Sequence, residues 1–204
     1  MEVTYIDHMG SDLSVVNAAR VSFGKKSEWH QRIYTGEPNV LKTKDAKLIR
    51  YLAKHNHKSP FNHTFATFHV KAPVFVARQL QKHEYMPWNE VSRRYVDEEP
   101  EFYFPLTWRG RSTDKKQGSE GEVKSNFNIN YHTMTALKGY QQMLDEGVAP
   151  EQARMVLPQS TMTEWYWSGT LYAFAKMCRI RLQSATHEKT TLIAQKTTNQ
   201  MSKL

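Results

Sequence analysis

Between Arg78 and Tyr95 the chain gathers residue types that hold an anion. Arg78, Lys82, Arg93 and Arg94 are interleaved with Gln79, His83, Asn89, Glu90 and Ser92. The apolar residues among them are too scattered to form a core stripe. A solvated helix face needs neither the turn Asn89-Glu90-Val91-Ser92-Arg93-Arg94-Tyr95 nor Pro87 interrupting the run. Cations and short hydrogen-bonding side chains at a helix exit suit a phosphate-bearing ligand, and the stretch reads as a nucleotide site. Ser92 and Arg94 fit a phosphate cradle assisted by turn amides, and Gln79 and Glu90 fit ribose or base contacts. Ser92 has no Ser-His-Asp order or Gly-x-Ser-x-Gly elbow around it, so binding is the better reading than nucleophilic attack. Tyr95 reads as packing.

These residues must be positioned by the elements around them. Val3 to Ile6 reads as a short strand and Leu13 to Val21 as a short helix. Lys25 to Val40, with Gly36 and Pro38, reads as a loop with some helix. Leu48, Ile49, Leu52 and Ala53 predict a helix over Thr43 to His55. Phe65 to Val70 alternates loosely, as a half-buried strand does, and Pro73 opens a helix to about Glu84. Thr107 to Lys124 is rich in Gly, Ser and charge and reads as a mobile loop, with a role as a substrate lid in view. Helices are predicted over Asn126 to Glu146 and from Pro150 to Met155. Ser160 to Trp167 reads as a strand. A helix follows from Ser168 or Thr170 to about Gln183, and a last one from Ala185 to Met201. This order predicts an α+β fold, a single domain over 1–204 whose mixed sheet is flanked by helices.

The chain has 204 residues, a hydrophobic fraction of 39% and a formal net charge of +8. That length supports a core able to fold alone. The low apolar share leaves polar residues to line a large site, a wet surface or a subunit contact, and the charge favours anionic partners. Nucleic acid is the first alternative this raises, but the basic residues are spread and mixed with acidic ones, with no isolated basic block, RNP box or finger spacing. The single cysteine, Cys178, excludes an internal disulfide framework and a cysteine-rich metal site. It follows the run Leu171 to Met177, which only Lys176 interrupts, and reads as inert packing. His55, His57, His63 and His69 lack the carboxylate partners of a common metal site, so no metal is expected. No apolar run approaches the ~20 residues that cross a bilayer, and the start lacks the regions of a signal peptide. A cytoplasmic location is the expectation.

The motifs allow a closer reading. Ser59-Pro60-Phe61-Asn62-His63 is followed by Phe68-His69-Val70-Lys71-Ala72-Pro73-Val74-Phe75-Val76-Ala77-Arg78-Gln79, then Lys82-His83-Glu84, then Asn89-Glu90-Val91-Ser92-Arg93-Arg94-Tyr95. With Ala18-Ala19-Arg20-Val21-Ser22-Phe23 and Ala153-Arg154-Met155-Val156-Leu157-Pro158, this ordered set resembles the flavin-dependent thymidylate synthases over most of the chain. The resemblance implies methylation of dUMP to dTMP by a homotetramer with active sites shared between subunits. FAD is the implied cofactor, with NADPH and 5,10-methylenetetrahydrofolate as co-substrates. NADPH reduces FAD, the folate donates its one-carbon unit, reduced flavin supplies hydride, and tetrahydrofolate is released. No enzyme thiolate is needed, which agrees with the reading of Cys178.

The resemblance also implies residue roles. Arg181 contacts the pyrimidine and favours ionisation at N3, which pushes electron density toward C5. A fixed guanidinium beside an N3–C=O edge does stabilise a developing anion. Arg154 helps to hold the phosphate. The implied dUMP set is Gln79, Leu80, Gln81, Lys82, Glu90, Val91, Ser92, Arg93, Arg94, Arg154 and Arg181. The implied FAD set is Ser59, Lys82, His83, Glu84, Glu90, Thr170, Tyr172 and Lys176, with Ser22 and His57 as weaker members. Two departures stand out. Lys82-His83-Glu84 replaces the usual Arg-His-Arg, losing a bidentate fork and placing Glu84 where flavin phosphates approach. Thr170, Tyr172 and Lys176 also sit where Asn and Arg are more usual, and Lys176 restores some positive charge. An altered, weaker flavin affinity is expected. A relative acting on the same nucleotide but ending at another C5 product, such as hydroxymethyl-dUMP, stays open, as does a basic nucleic-acid-binding protein.

Overall fold

Alternation along two strands builds the core. In residues 65–73 and 162–170 every second side chain is buried, placing Ala66, Phe68, Val70 and Ala72 beside Trp165 and Trp167 on one face. A computed structural model describes residues 1–30, 40–96, 98–113, 118–182 and 188–201. Its elements, in chain order, are β1 (Glu2–Met9), α1 (Asp12–Arg20), α2 (Thr43–Lys54), β2 (Phe65–Pro73), α3 (Val74–Leu80) and β3 (Trp88–Glu90). Then come β4 (Trp108–Arg111), β5 (Ser119–Val123), α4 (Ile129–Asp145), α5 (Pro150–Ala153), β6 (Met162–Thr170), α6 (Leu171–Arg181) and α7 (Glu188–Met201).

The main sheet has the order β1-β2-β6-β3. Val76, Ala77 and Leu80 of α3, Phe174, Met177 and Cys178 of α6, and Ile193 and Ala194 of α7 join its apolar face in one cluster. Each of the largest fully buried side chains contributes about 1.5–3 kcal/mol, so this face is where the fold is strongest. The opposite face is polar and partly open. Thr67 and Ser168 bond across it at 2.9 Å, and His69 Nε2 lies 3.3 Å from Glu164.

The expected α+β class holds, but the expected mixed sheet does not. All three pairings of the main sheet are antiparallel. Strand direction is set by how the connecting segments return, which element order alone does not specify. Residues 107–124 are not wholly irregular either: β4 and β5 pair antiparallel around residues 114–117, which lie outside the described set, as do 183–187 at the expected start of the last helix. The other predicted helices and strands stand, with shifted ends, apart from the loop with some helix expected over Lys25 to Val40, of which residues 31–39 lie outside the described set. Thr170 is the cap of α6, its hydroxyl accepting from the Ala173 amide at 3.1 Å. None of the described helices is long and apolar enough to cross a membrane.

Candidate active site

Pro73 ends β2 and caps α3, so the helix leaves directly from the central sheet. Because Val76, Ala77 and Leu80 turn inward, Arg78 and Gln81 are exposed on the other side and Gln79 is half-buried. Leu80 is fully buried; its backbone carbonyl accepts from the His83 amide at 3.0 Å. The following turn brings Tyr85 to φ 60°, with its ring almost wholly exposed, and drops Met86 into the core. Gly169 of β6 makes room for that descent: a Cβ there would stand 3.2 Å from Met86 Cγ.

The signature turn is then fixed as the fourth strand of the sheet. Trp88 stacks on Trp165 at 4.2 Å, and β3 pairs with β6 from Trp88 to Glu90. Both oxygens of the Glu90 carboxylate are used: Thr163 Oγ1 donates to Oε1 at 2.6 Å, and Trp88 Nε1 donates to Oε2 at 3.0 Å. Beyond β3, the Val91 amide bonds to the Glu164 carbonyl at 2.9 Å.

A cleft of about 510 Å³ opens between α3, this turn and the segment after α5. Arg78, Gln81, Glu90, Val91, Arg93 and Arg154 line it. Three arginines from three separate parts of the chain thus line it together with Glu90 and Glu151, and Arg93 Nη1 donates to the Glu98 carbonyl at 2.5 Å. Arg154 Nε donates to the Glu151 carbonyl at 3.2 Å, which orients the side chain at the cleft wall. Such planar forks suit a phosphate. Ser92 and Arg94 lie just outside the lining: Arg94 Nε donates to Ser92 Oγ at 3.2 Å, and its guanidinium sits 5.1 Å over the Tyr95 ring.

Arg181 lies elsewhere, at the last turn of α6. Its Nε donates to His83 Nε2 at 3.0 Å and its Nη2 to the Gln79 carbonyl at 2.8 Å. Burial lowers the Arg181 pKa from its usual value. Burial, followed by the charges of Arg181 and Lys176, pushes His83 down to about 4.

A second cavity, of about 330 Å³, lies beside α6 and is lined by Asn56, His57, Phe61, Tyr172, Lys176 and Arg179, among others. Lys58 Nζ stands 5.6 Å over the Tyr172 ring. Thr170 borders this region, its hydroxyl donating to the Asn62 side-chain oxygen at 2.9 Å, and Ser59 opens the 3-10 turn Ser59–His63. An aromatic and apolar wall rimmed by cations suits a flat ring joined to phosphates, so this donor set fits a flavin nucleotide. Ser22 lines neither cavity. It sits exposed on the 3-10 turn Val21–Phe23, next to Arg20, which is spent on an ion pair with the buried Asp45 carboxylate.

The expected nucleotide residues therefore fall into two groups within one chain. Gln81, Glu90, Val91, Arg93 and Arg154 share the cleft, while Gln79 meets Arg181 on the α6 side. Lys82 and Glu84 are exposed on the turn. Arg78 in the cleft and Asn56 and Arg179 in the cavity were not among the expected contacts. Arg78 had a signal, its place in the interleaved cation run. Cys178 is buried, burial raises its thiol pKa, and its Sγ bonds weakly to the Ala194 carbonyl at 3.7 Å. It is packing, as its sequence context suggested.

The fold is thus an α+β sheet with a cleft lined by three arginines and a separate cavity lined by aromatic and cationic side chains. The family model described as thymidylate synthase complementing protein matches residues 4–204, and the chain belongs to that family. A flavin-dependent thymidylate synthase from Thermus thermophilus is 39% identical over 183 residues, covering 88% of this chain and 63% of that protein. The chain thus spans under two thirds of that relative's length. A protein of the same name from Thermosipho africanus is 39% identical over 185 residues, covering 88% and 76%. Among solved structures, a UMP/dUMP methylase, PolB from Streptomyces cacaoi bound with 5-Br dUMP, superposes with a TM-score of 0.79 at 30% identity. That match covers 100% of this chain and 90% of the methylase.

Proposed function

We propose that the protein methylates dUMP at C5 to give dTMP, using FAD, NADPH and 5,10-methylenetetrahydrofolate, with release of tetrahydrofolate. The observation that carries this reading is the convergence of Arg78, Arg93 and Arg154 with Gln81 and Glu90 in one cleft of a chain from this family. In this reading the cleft arginines and the turn at Ser92 hold the nucleotide phosphate. Glu90, held by Thr163 and Trp88, accepts from ribose or base. Arg181 meets the N3–C4=O edge of the pyrimidine and stabilises negative charge there, which enriches C5 in electrons. Bound flavin supplies the hydride that completes the methyl group. His57, Tyr172 and Lys176 hold its ring and phosphates, with Ser59 and Thr170 at the margin.

The separation of Arg181 from the phosphate cleft supports a site completed by a second copy, as in a homotetramer with shared active sites. The names of the structural relatives add UMP as an acceptor worth running in parallel. The test is anaerobic incubation with dUMP or UMP, methylenetetrahydrofolate, NADPH and FAD, followed by mass analysis of the nucleotide. A methylated product that forms only with flavin is expected. A hydroxymethyl product would keep the site and change the reaction. No conversion would overturn the proposal.

A further inference from the structure

Arg181 is held from several directions by groups that are not ligand. The exit of α3 supplies His83 Nε2 and the Gln79 carbonyl, at 3.0 and 2.8 Å. From behind, Thr191 Oγ1 of α7 donates to the Arg181 carbonyl at 2.7 Å, fixing the backbone from which the side chain extends. A guanidinium offers donors only, so the imidazole must present a lone pair at Nε2 and carry its proton on Nδ1. The surroundings favour that uncharged state, since His83 is half-buried and faces two cations of α6, Arg181 and Lys176.

We infer that His83 is a positioning residue: its neutral imidazole accepts from Arg181 Nε and, with the Gln79 carbonyl, sets the plane in which the guanidinium meets the pyrimidine. The inference rests on the reading of Arg181 as the group that touches the base. Lys82 and Glu84 are exposed on either side, whereas the half-buried central residue keeps an acceptor at one point in space. A rotated guanidinium would still be charged and present. It would lose the alignment on which stabilising charge at one edge of the ring depends.

Two near-isosteres separate the acceptor from the bulk of the side chain. Glutamine places a carbonyl oxygen near the position of Nε2, and asparagine places its polar atoms near that of Nδ1. His83 also belongs to the implied flavin set, so both variants are assayed at saturating FAD. There kcat for nucleotide methylation with His83→Gln is expected to stay at least about tenfold above that with His83→Asn, the scale of one lost hydrogen bond to a charged group, with little change in nucleotide KM. Equal losses in the two variants, or equal retention, would overturn the inference. A second readout needs no turnover: ¹⁵N spectra of histidine-labelled protein at pH 7, with the His83 signal assigned by its absence from His83→Gln. The Nδ1–H tautomer is expected; an Nε2–H tautomer or an imidazolium would overturn the inference. A parent protein that converts no nucleotide would sink the proposed reaction, while the spectra still decide the His83–Arg181 contact.

Discussion

Thr163 Oγ1 donates a 2.6 Å hydrogen bond to Glu90 Oε1, tying the centre of the sheet to the turn that lines the cleft. With Trp88 on the other oxygen, Glu90 is an oriented acceptor whose position is inherited from β6. Hydrogen bonds to a charged group contribute about 1.5–3 kcal/mol. Thr163→Val keeps the branched shape on a strand and removes only the donor. It should weaken dUMP binding by about tenfold and, because the same bond also ties β3 to β6, lower stability by about 1–2 kcal/mol. Unchanged affinity by titration calorimetry would mean that Glu90 does not face the nucleotide.

Arg154 reaches the cleft from the segment after α5, remote in sequence from Arg78 and Arg93. If the three share a phosphate, replacing one fork by a point charge should hurt less than removing it. Arg154→Lys is expected to raise the dUMP Kd by about tenfold and Arg154→Ala by about a hundredfold, using the usual strength of charge-assisted pairs. Both effects should shrink for the nucleoside, which lacks the phosphate. Equal losses for nucleotide and nucleoside would remove Arg154 from the phosphate site.

Asp45 is a structural counterpart. It is fully buried on α2, bonded to Arg20 and, at 3.0 Å, to Ser27 Oγ. Burial pushes its carboxyl up, but the Arg20 and Ser27 donors outweigh this and the net pKa falls below 3.8. Its stabilising contribution is therefore present above the unfolded value near 3.8 and is lost as pH falls through the lower folded value. Asp45→Ala leaves Arg20 without this carboxylate and should destabilise the fold by about 3 kcal/mol. Denaturant melts of the variant should show a weaker acid limb below about pH 4. A parent-like midpoint would show that the pair adds nothing.

His83 has the opposite consequence for acid. Its folded pKa of about 4 lies below the 6.5 of a free imidazole. Between those values the unfolded chain binds a proton that the folded chain refuses, so stability falls as pH drops from 6.5 toward 4. His83→Gln removes this dependence, and the stability gap between variant and parent should shift in the variant's favour across that window. A gap constant with pH would mean that His83 titrates normally.

Cys178 provides a control on the route of reaction. A buried thiol with a raised pKa is a poor nucleophile. Cys178→Ala should keep methylation within about twofold and cost about 1 kcal/mol of stability, as small core truncations do. Loss of all conversion in a folded variant would point to thiolate catalysis.

Much of this arrangement was legible in the sequence, and the gaps have physical causes. The helices over Thr43–Lys54 and Ile129–Asp145 and the alternation of β2 are local patterns, visible without a partner. The strand β3 is not: three residues, two of them polar, become a strand because β6 offers an edge and Trp165 a surface for Trp88. The ribbon of β4 and β5 hides in a composition that elsewhere makes loops. The nucleotide chemistry of residues 78–95 could be read from residue types, but the contact of Arg181 with His83 joins positions 98 residues apart. Arg20 sits in one of the segments that carry the family resemblance, and its side chain serves the fold through Asp45. Residue type announces what a group can hold, and only packing decides what it does hold.

The three consecutive positions 79, 80 and 81 serve three different masters. Gln79 gives its carbonyl to Arg181, Leu80 fills the core, and Gln81 looks into the cleft. One residue of helix is about 100° of rotation, so adding or deleting a single residue in α3 would turn each group to its neighbour's post. A helix of seven residues pinned by Pro73 at one end has no slack in which to absorb the error. The segment from Pro73 to Pro87 is therefore constrained in its length as well as in the spelling of its core and contact positions. Insertions and deletions should be filtered out here as severely as substitutions at those positions.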